Sequence, residues 1–142
     1  MRLALAFLLS ASPAAAWDFS PSPICTLTNT SEIGSVTVTY DARLPEYSIA
    51  ITLADGRWPD APVFGMAFDG DRPISIQTDR QQISEDGQTL TVTDRGFGNV
   101  LNGLEFNLLA MAQTGDRRVL IPLTGIGPAI TAFRNCPADQ LS

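Results

Sequence analysis

The chain has 142 residues, with 9 basic against 15 acidic side chains, a formal charge of −6, two cysteines and no histidine. All nine basic residues are arginine. These absences exclude Ser-His-Asp and Cys-His nucleophile activation, His-ligated zinc, Schiff-base lysine and the P-loop lysine, and the acidic balance is the opposite of a nucleic-acid footprint.

Residues 1–16 have the three parts of a secretory signal: Arg2 as the positive n-region, Leu3 to Leu9 as the apolar h-region and Ala14-Ala15-Ala16 as a small-residue cleavage site. The expected mature chain begins at Trp17 and forms a single β-rich domain over 17–142. The apolar stretch is shorter than the ~20 residues needed to span a bilayer. A soluble product in the periplasm or beyond is expected, without a membrane anchor. Loss of Arg2 leaves 8 arginines against 15 acids, a charge of −7.

Export gives the cysteine count a meaning. Cys25 and Cys136 are the only two, and in an oxidising compartment they are expected to form one disulfide. A redox-active thiol would need a CxxC spacing or an electropositive partner, and neither is evident.

From Ile24 to Val92 the dominant period is two. Cys25 shares a strand face with Leu27, and Val36, Val38 and Tyr40 alternate with threonines. Tyr47, Ile49, Ile51 and Leu53 repeat the pattern, as do Phe64, Met66 and Phe68, then Ile74 with Ile76 and Leu90 with Val92. Such alternation marks strands with one buried face. Asp55-Gly56, Asp69-Gly70 and Asp86-Gly87 supply turn dipeptides between them.

The stretch from Gly96 to Gly103 carries three glycines and is expected to hold no more than a turn of helix. Leu104, Phe106, Leu108, Ala110 and Ala112 then predict one long strand. Val119 to Leu123 predicts another, placed at a sheet edge, or with Pro122 at a bulge, because a proline cannot donate to a ladder. After Gly125 the period becomes helical, with Ile126, Ile130, Phe133 and Cys136 on one face and Pro137 as the expected stop. The fold expected is therefore mainly β, an antiparallel β-sandwich or open barrel with a short C-terminal helix stapled to the first strand by Cys25 and Cys136.

No motif for a cofactor or metal survives inspection. Gly98 to Gly103 has P-loop glycine spacing but is followed by Leu104-Glu105 where Lys and Ser/Thr are required, and Leu101 stands where a dinucleotide fingerprint needs glycine. Asp69-Gly70-Asp71 lacks the further ligands of a calcium loop. Carboxylates are the only acid-base chemistry left, and Asp69 with Asp71, Glu85 with Asp86, and Asp94 with Glu105 are the pairs a glycosidase would use. Most of them sit in turns, where Asp accepts backbone amides. Arg117-Arg118 reads as a charged edge that blunts sheet pairing. Trp58, in the loop Arg57-Trp58-Pro59-Asp60, is the candidate binding residue if it is exposed. The Asn29-Thr30-Ser31 sequon matters only in a eukaryotic secretory pathway.

Several segments together resemble a family. Trp17, Pro23-Ile24-Cys25-Thr26-Leu27, Val38-Thr39-Tyr40-Asp41, Asp94-Arg95-Gly96-Phe97-Gly98-Asn99-Val100-Leu101 and Ala132-Phe133-Arg134-Asn135-Cys136 are similar to a small family of exported proteins of marine alphaproteobacteria. Its members often carry an excinuclease ABC name, and the resemblance implies export without implying an activity. The residues argue against the DNA-repair function in that name, which needs a P-loop lysine and a basic DNA channel. The run from Leu123 to Cys136 is also loosely similar to invasion-associated locus B-like periplasmic proteins, which implies at most a shared β-rich fold.

The function expected is a non-enzymatic binding or accessory domain of the periplasm, monomeric, with an envelope protein or glycan as partner. A carboxylate-based hydrolase of an envelope glycan is the second reading. An inhibitor of a basic enzyme such as lysozyme, motivated by the acidic charge, is the third.

Overall fold

The computed structural model describes residues 17–140; the expected signal segment, 1–16, lies outside them. Ten strands run in chain order as β1 (Trp17–Ser20), β2 (Cys25–Ser31), β3 (Gly34–Asp41), β4 (Glu46–Leu53), β5 (Phe64–Gly70), β6 (Ile74–Thr78), β7 (Gln82–Ile83), β8 (Thr89–Asp94), β9 (Asn107–Thr114) and β10 (Arg117–Pro122). Helix α1 (Gly98–Phe106) precedes β9, and α2 (Gly127–Gln140) follows β10.

The strands form two antiparallel sheets, ordered β1-β2-β3-β4-β8-β7 and β10-β9-β5-β6. The alternating residues face inward as their period demands. Leu27, Val38, Ile49, Ile51 and Leu90 from the larger sheet, and Phe64, Met66, Phe68, Ala110 and Ala112 from the smaller, are buried in one core. β10 is an edge strand with Pro122 as its last residue, where the absent N–H costs no ladder bond inside the sheet.

The two ends of the domain close the sandwich. Cys25 on β2 and Cys136 on α2 form a disulfide, both residues being buried, and Ile126, Ile130 and Phe133 turn the same helical face into the core. A strand the periodicity does not announce, β1, pairs with β2 from Trp17↔Asn29 to Ser20↔Thr26. The Trp17 indole then donates across the gap between sheets to the Pro122 carbonyl, at 3.1 Å.

Three expectations fail locally. α1 is a nine-residue helix, not a single turn: Leu101 and Leu104 are buried from it, and Gly103 lies so close to the Phe68 ring that a Cβ there would collide with it. Packing, not propensity, therefore sets the helix. The strand expected from Leu104 begins only at Asn107, and Leu108 faces out, 69% exposed. The reason is a bulge: Asp69 pairs with Leu109 and Gly70 with Asn107, leaving Leu108 as the extra residue. Gly70 allows this with φ 155°, at a point where a Cβ would lie 2.7 Å from Asn107 Cα. Finally, α2 runs on through Pro137; proline removes one donor but holds φ near the helical value.

Candidate binding cleft

Between the two sheets the core is not fully filled. A cavity of about 630 Å³ lies between β4 and β8 of the larger sheet and β5 and β6 of the smaller. Ile49 and Val92 reach it from one side, Phe64, Met66 and Ile76 from the other. Val92 and Ile76 are inward-facing by period yet only half-buried, because the space opposite them is open. The size falls within the range of small-molecule sites, and the lining combines these apolar side chains with polar ones.

The end of the cleft is built by the glycine segment. Phe97 is buried and stacks on Tyr47, with centroids 5.4 Å apart and planes 18° apart, and Tyr47 in turn packs on Tyr40 at 4.6 Å. Burial pushes the Tyr47 phenol above its ordinary pKa, and Tyr40 beside it adds to the effect. Gly98, Asn99 and Val100, the first turn of α1, line the mouth. First-turn amides lack intrahelical acceptors, and no side chain caps this helix. A Cβ at Gly96 or Gly98 would meet nothing within 4 Å, so these glycines leave the mouth open.

Gln77, Thr78, Asn99, Asp79, Arg80 and Asp94 give the lining its polar side chains. Asp79 and Arg80 follow β6 where the chain crosses from one sheet to the other, and Asp94 ends β8. All three are exposed. The Arg80 side chain has no ion pair among the described residues, while an Asp94 Oδ1 accepts the Arg95 amide at 2.7 Å.

The carboxylate pairs suggested by the sequence are dispersed. Of those six acids only Asp94 lines the cleft. Glu105 is engaged by Arg134 at 3.0 Å, linking α1 to α2. Asp69 lies on the outer face of the smaller sheet and Asp71 in the β5–β6 turn. Asp86 organises the turn before β8, accepting the Ser84 hydroxyl at 2.6 Å and the Gln88 amide at 3.0 Å. These bonds, the Ser84 one first, hold its carboxyl below the usual range. The acid pair that does share the cleft, Asp79 in the β6–β7 connection and Asp94 at the end of β8, combines residues 15 apart, and no local spacing signals it.

Trp58 is not the exposed surface residue expected. It stands in the β4–β5 loop but is 3% exposed. Its indole donates to the Ile51 carbonyl at 3.0 Å and its amide to the Gly87 carbonyl at 2.7 Å, so its polar handle is satisfied inside the fold, as buried tryptophans require. It meets Phe64 edge-on at 6.4 Å, which puts it directly behind the cleft wall. Asn29 of the sequon is also buried.

Among the described residues, no group of three or more His, Cys, Asp or Glu side chains is placed to hold a metal ion, and no helix is long and apolar enough to cross a membrane. Comparison with protein-family models, with curated proteins and with solved structures finds no match.

Proposed function

We propose that this chain is an exported, non-enzymatic binding or accessory domain whose ligand enters the cleft between β8 and β6. The observation that carries the reading is the half-buried pair Val92 and Ile76, two aliphatic strand residues facing each other's sheet across open space. Aliphatic surface kept partly in water is costly unless something covers it. The ligand that suits a lining of apolar and polar side chains is a small amphiphile, with its apolar body on Val92, Ile76 and Met66 and its polar end among Asp79, Arg80 and the first-turn amides of α1. A lipid-derived envelope molecule has that character.

The second reading, hydrolysis of an envelope glycan, rests on Asp79, in the β6–β7 connection, and Asp94, at the end of β8, both lining the cavity. A general acid for that chemistry needs desolvation to stay protonated, and both acids are exposed. Binding is therefore favoured.

The test is a titration with the neutral apolar fluorophore N-phenyl-1-naphthylamine. Saturable binding of one probe per chain is expected, with a change in Trp58 emission transmitted through Phe64. Ile76→Glu should weaken it by about tenfold or more while the fold is retained, since one charge placed in an apolar site costs well over about 1.4 kcal/mol. Binding that is non-saturable, or unchanged in Ile76→Glu, would refute the assignment.

A further inference from the structure

We infer that the outer face of the smaller sheet is a self-association surface on which two copies of this chain pack face to face. Its outward residues follow from the registers: Arg118, Leu120 and Pro122 on β10 stand beside Gln113, Met111 and Leu109 on β9, which stand beside Gly65, Ala67 and Asp69 on β5. No helix among the described residues packs on this side; α1 approaches the smaller sheet from within, against Phe68, and α2 packs on β1, β2 and α1. The centre of the face is apolar, with Leu120 48% exposed and small residues on β5 that leave it flat. The apolar centre is small, so what the face offers a partner rests on its pattern of charge.

The occupant is indicated by charge. The ionisable groups on these three strands' outer face are Arg118 and Asp69, and neither has an ion pair among the described residues. They stand at opposite corners, two strands and four residues apart, or about 17 Å from strand geometry. Met111 lies at the midpoint of the line joining them. A two-fold axis in the plane of the face, passing over Met111 perpendicular to that line, sets Arg118 of each copy on Asp69 of the other and lays Leu120 between Leu109 and Met111 of its partner. The face thus matches itself, as an isologous interface must, and its two charges cancel on a chain whose expected mature charge of −7 would otherwise keep copies apart. Edge-to-edge pairing along β10 is opposed by its arginines and by Pro122. The area, about 300 Å² in plan from strand spacings, is below the ~800 Å² per partner of standard stable complexes, so the dimer is weak. This inference is independent of the cleft, which opens on the inner face.

The experiment is analytical ultracentrifugation of residues 17–142 over a concentration series reaching about 1 mM, the range that resolves weak association. A reversible monomer–dimer equilibrium is expected. Arg118→Asp and Asp69→Arg should each weaken it by about tenfold or more through like-charge contacts, and the double reversal should restore it to within about threefold. Met111→Glu, which sets two carboxylates together on the axis, should abolish it with an unchanged far-UV circular dichroism spectrum. A chain monomeric throughout, a dimer indifferent to the single reversals or to Met111→Glu, a double variant that fails to recover, or open-ended assembly would each overturn the proposal.

Discussion

The indole N–H of Trp17 on the first strand donates to the carbonyl of Pro122 on the last, at 3.1 Å, and so joins the outer edges of both sheets. Pro122 cannot offer its own N–H there, yet its carbonyl is satisfied by a residue 105 positions away. Trp17→Phe removes the donor and part of the ring volume while keeping an aromatic in the core. The expected loss is about 1–2 kcal/mol of unfolding free energy, read by urea denaturation with an unchanged m-value.

The disulfide makes the same closure covalently. Thiol labelling of the unreduced protein is expected to find no free cysteine, and two labelled thiols would contradict the pairing. Replacing both Cys25 and Cys136 by alanine should cost about 2–5 kcal/mol, since the bridge spans a long loop of the unfolded chain. Because α2 buries Phe133 and Ile130 independently of the sulfurs, the reduced chain should retain its β signal in circular dichroism while melting at a lower temperature.

Two glycines of one helix should respond in opposite directions. Gly98 has open space where a Cβ would sit, and its φ is not left-handed; Gly98→Ala should stabilise by about 0.4–1 kcal/mol by restricting the unfolded chain. Gly103→Ala drives a Cβ into the Phe68 ring and should destabilise by about 1–3 kcal/mol as overpacking does. Thermal midpoints of the two variants check both signs at once.

The pH dependence has a defined sign at Asp86. Its carboxyl, held below the ordinary value of 3.8 by Ser84 and the Gln88 amide, is depressed in the folded state. It therefore contributes stability that is present above 3.8 and lost as pH falls through the lower folded value. Asp86→Asn should flatten the acid limb of the stability curve in that window and leave the neutral region parallel to the parent, measured by denaturation midpoints from about pH 5 downward. Tyr47 acts at the other end: its raised pKa means stability falls as pH rises above the ordinary tyrosine value of 10.0, and Tyr47→Phe should soften that alkaline limb.

How far the sequence could be read depended on whether the determining contacts were local. Period-two alternation placed β2 to β6, β8 and β10 because each such strand has one face in the core, and the helical phase of Ile126, Ile130, Phe133 and Cys136 set the cysteine inward to meet Cys25. α1 escaped because its glycines argue against helix, while its stability comes from Leu101, Leu104 and the Gly103–Phe68 contact across the core. Leu108 escaped for a related reason: the bulge at Asp69 and Gly70 reverses its face without changing the residue pattern. The cleft was least legible. Val92 and Ile76 read as ordinary core positions, and only the separation of the sheets there leaves them half-covered; Trp58, legible as a loop tryptophan, is turned inward by the Ile51 carbonyl.

Binding in the space between β8 and β6 is tested most directly by backbone amide NMR of isotope-labelled residues 17–142 titrated with N-phenyl-1-naphthylamine. Saturable shifts are expected, concentrated on Ile76, Arg80, Val92, Gly96 and Gly98, with Met111 and Leu120 on the outer face unmoved. Shifts centred on Met111 and Leu120, or no saturable shifts at all, would contradict the cleft as the binding site.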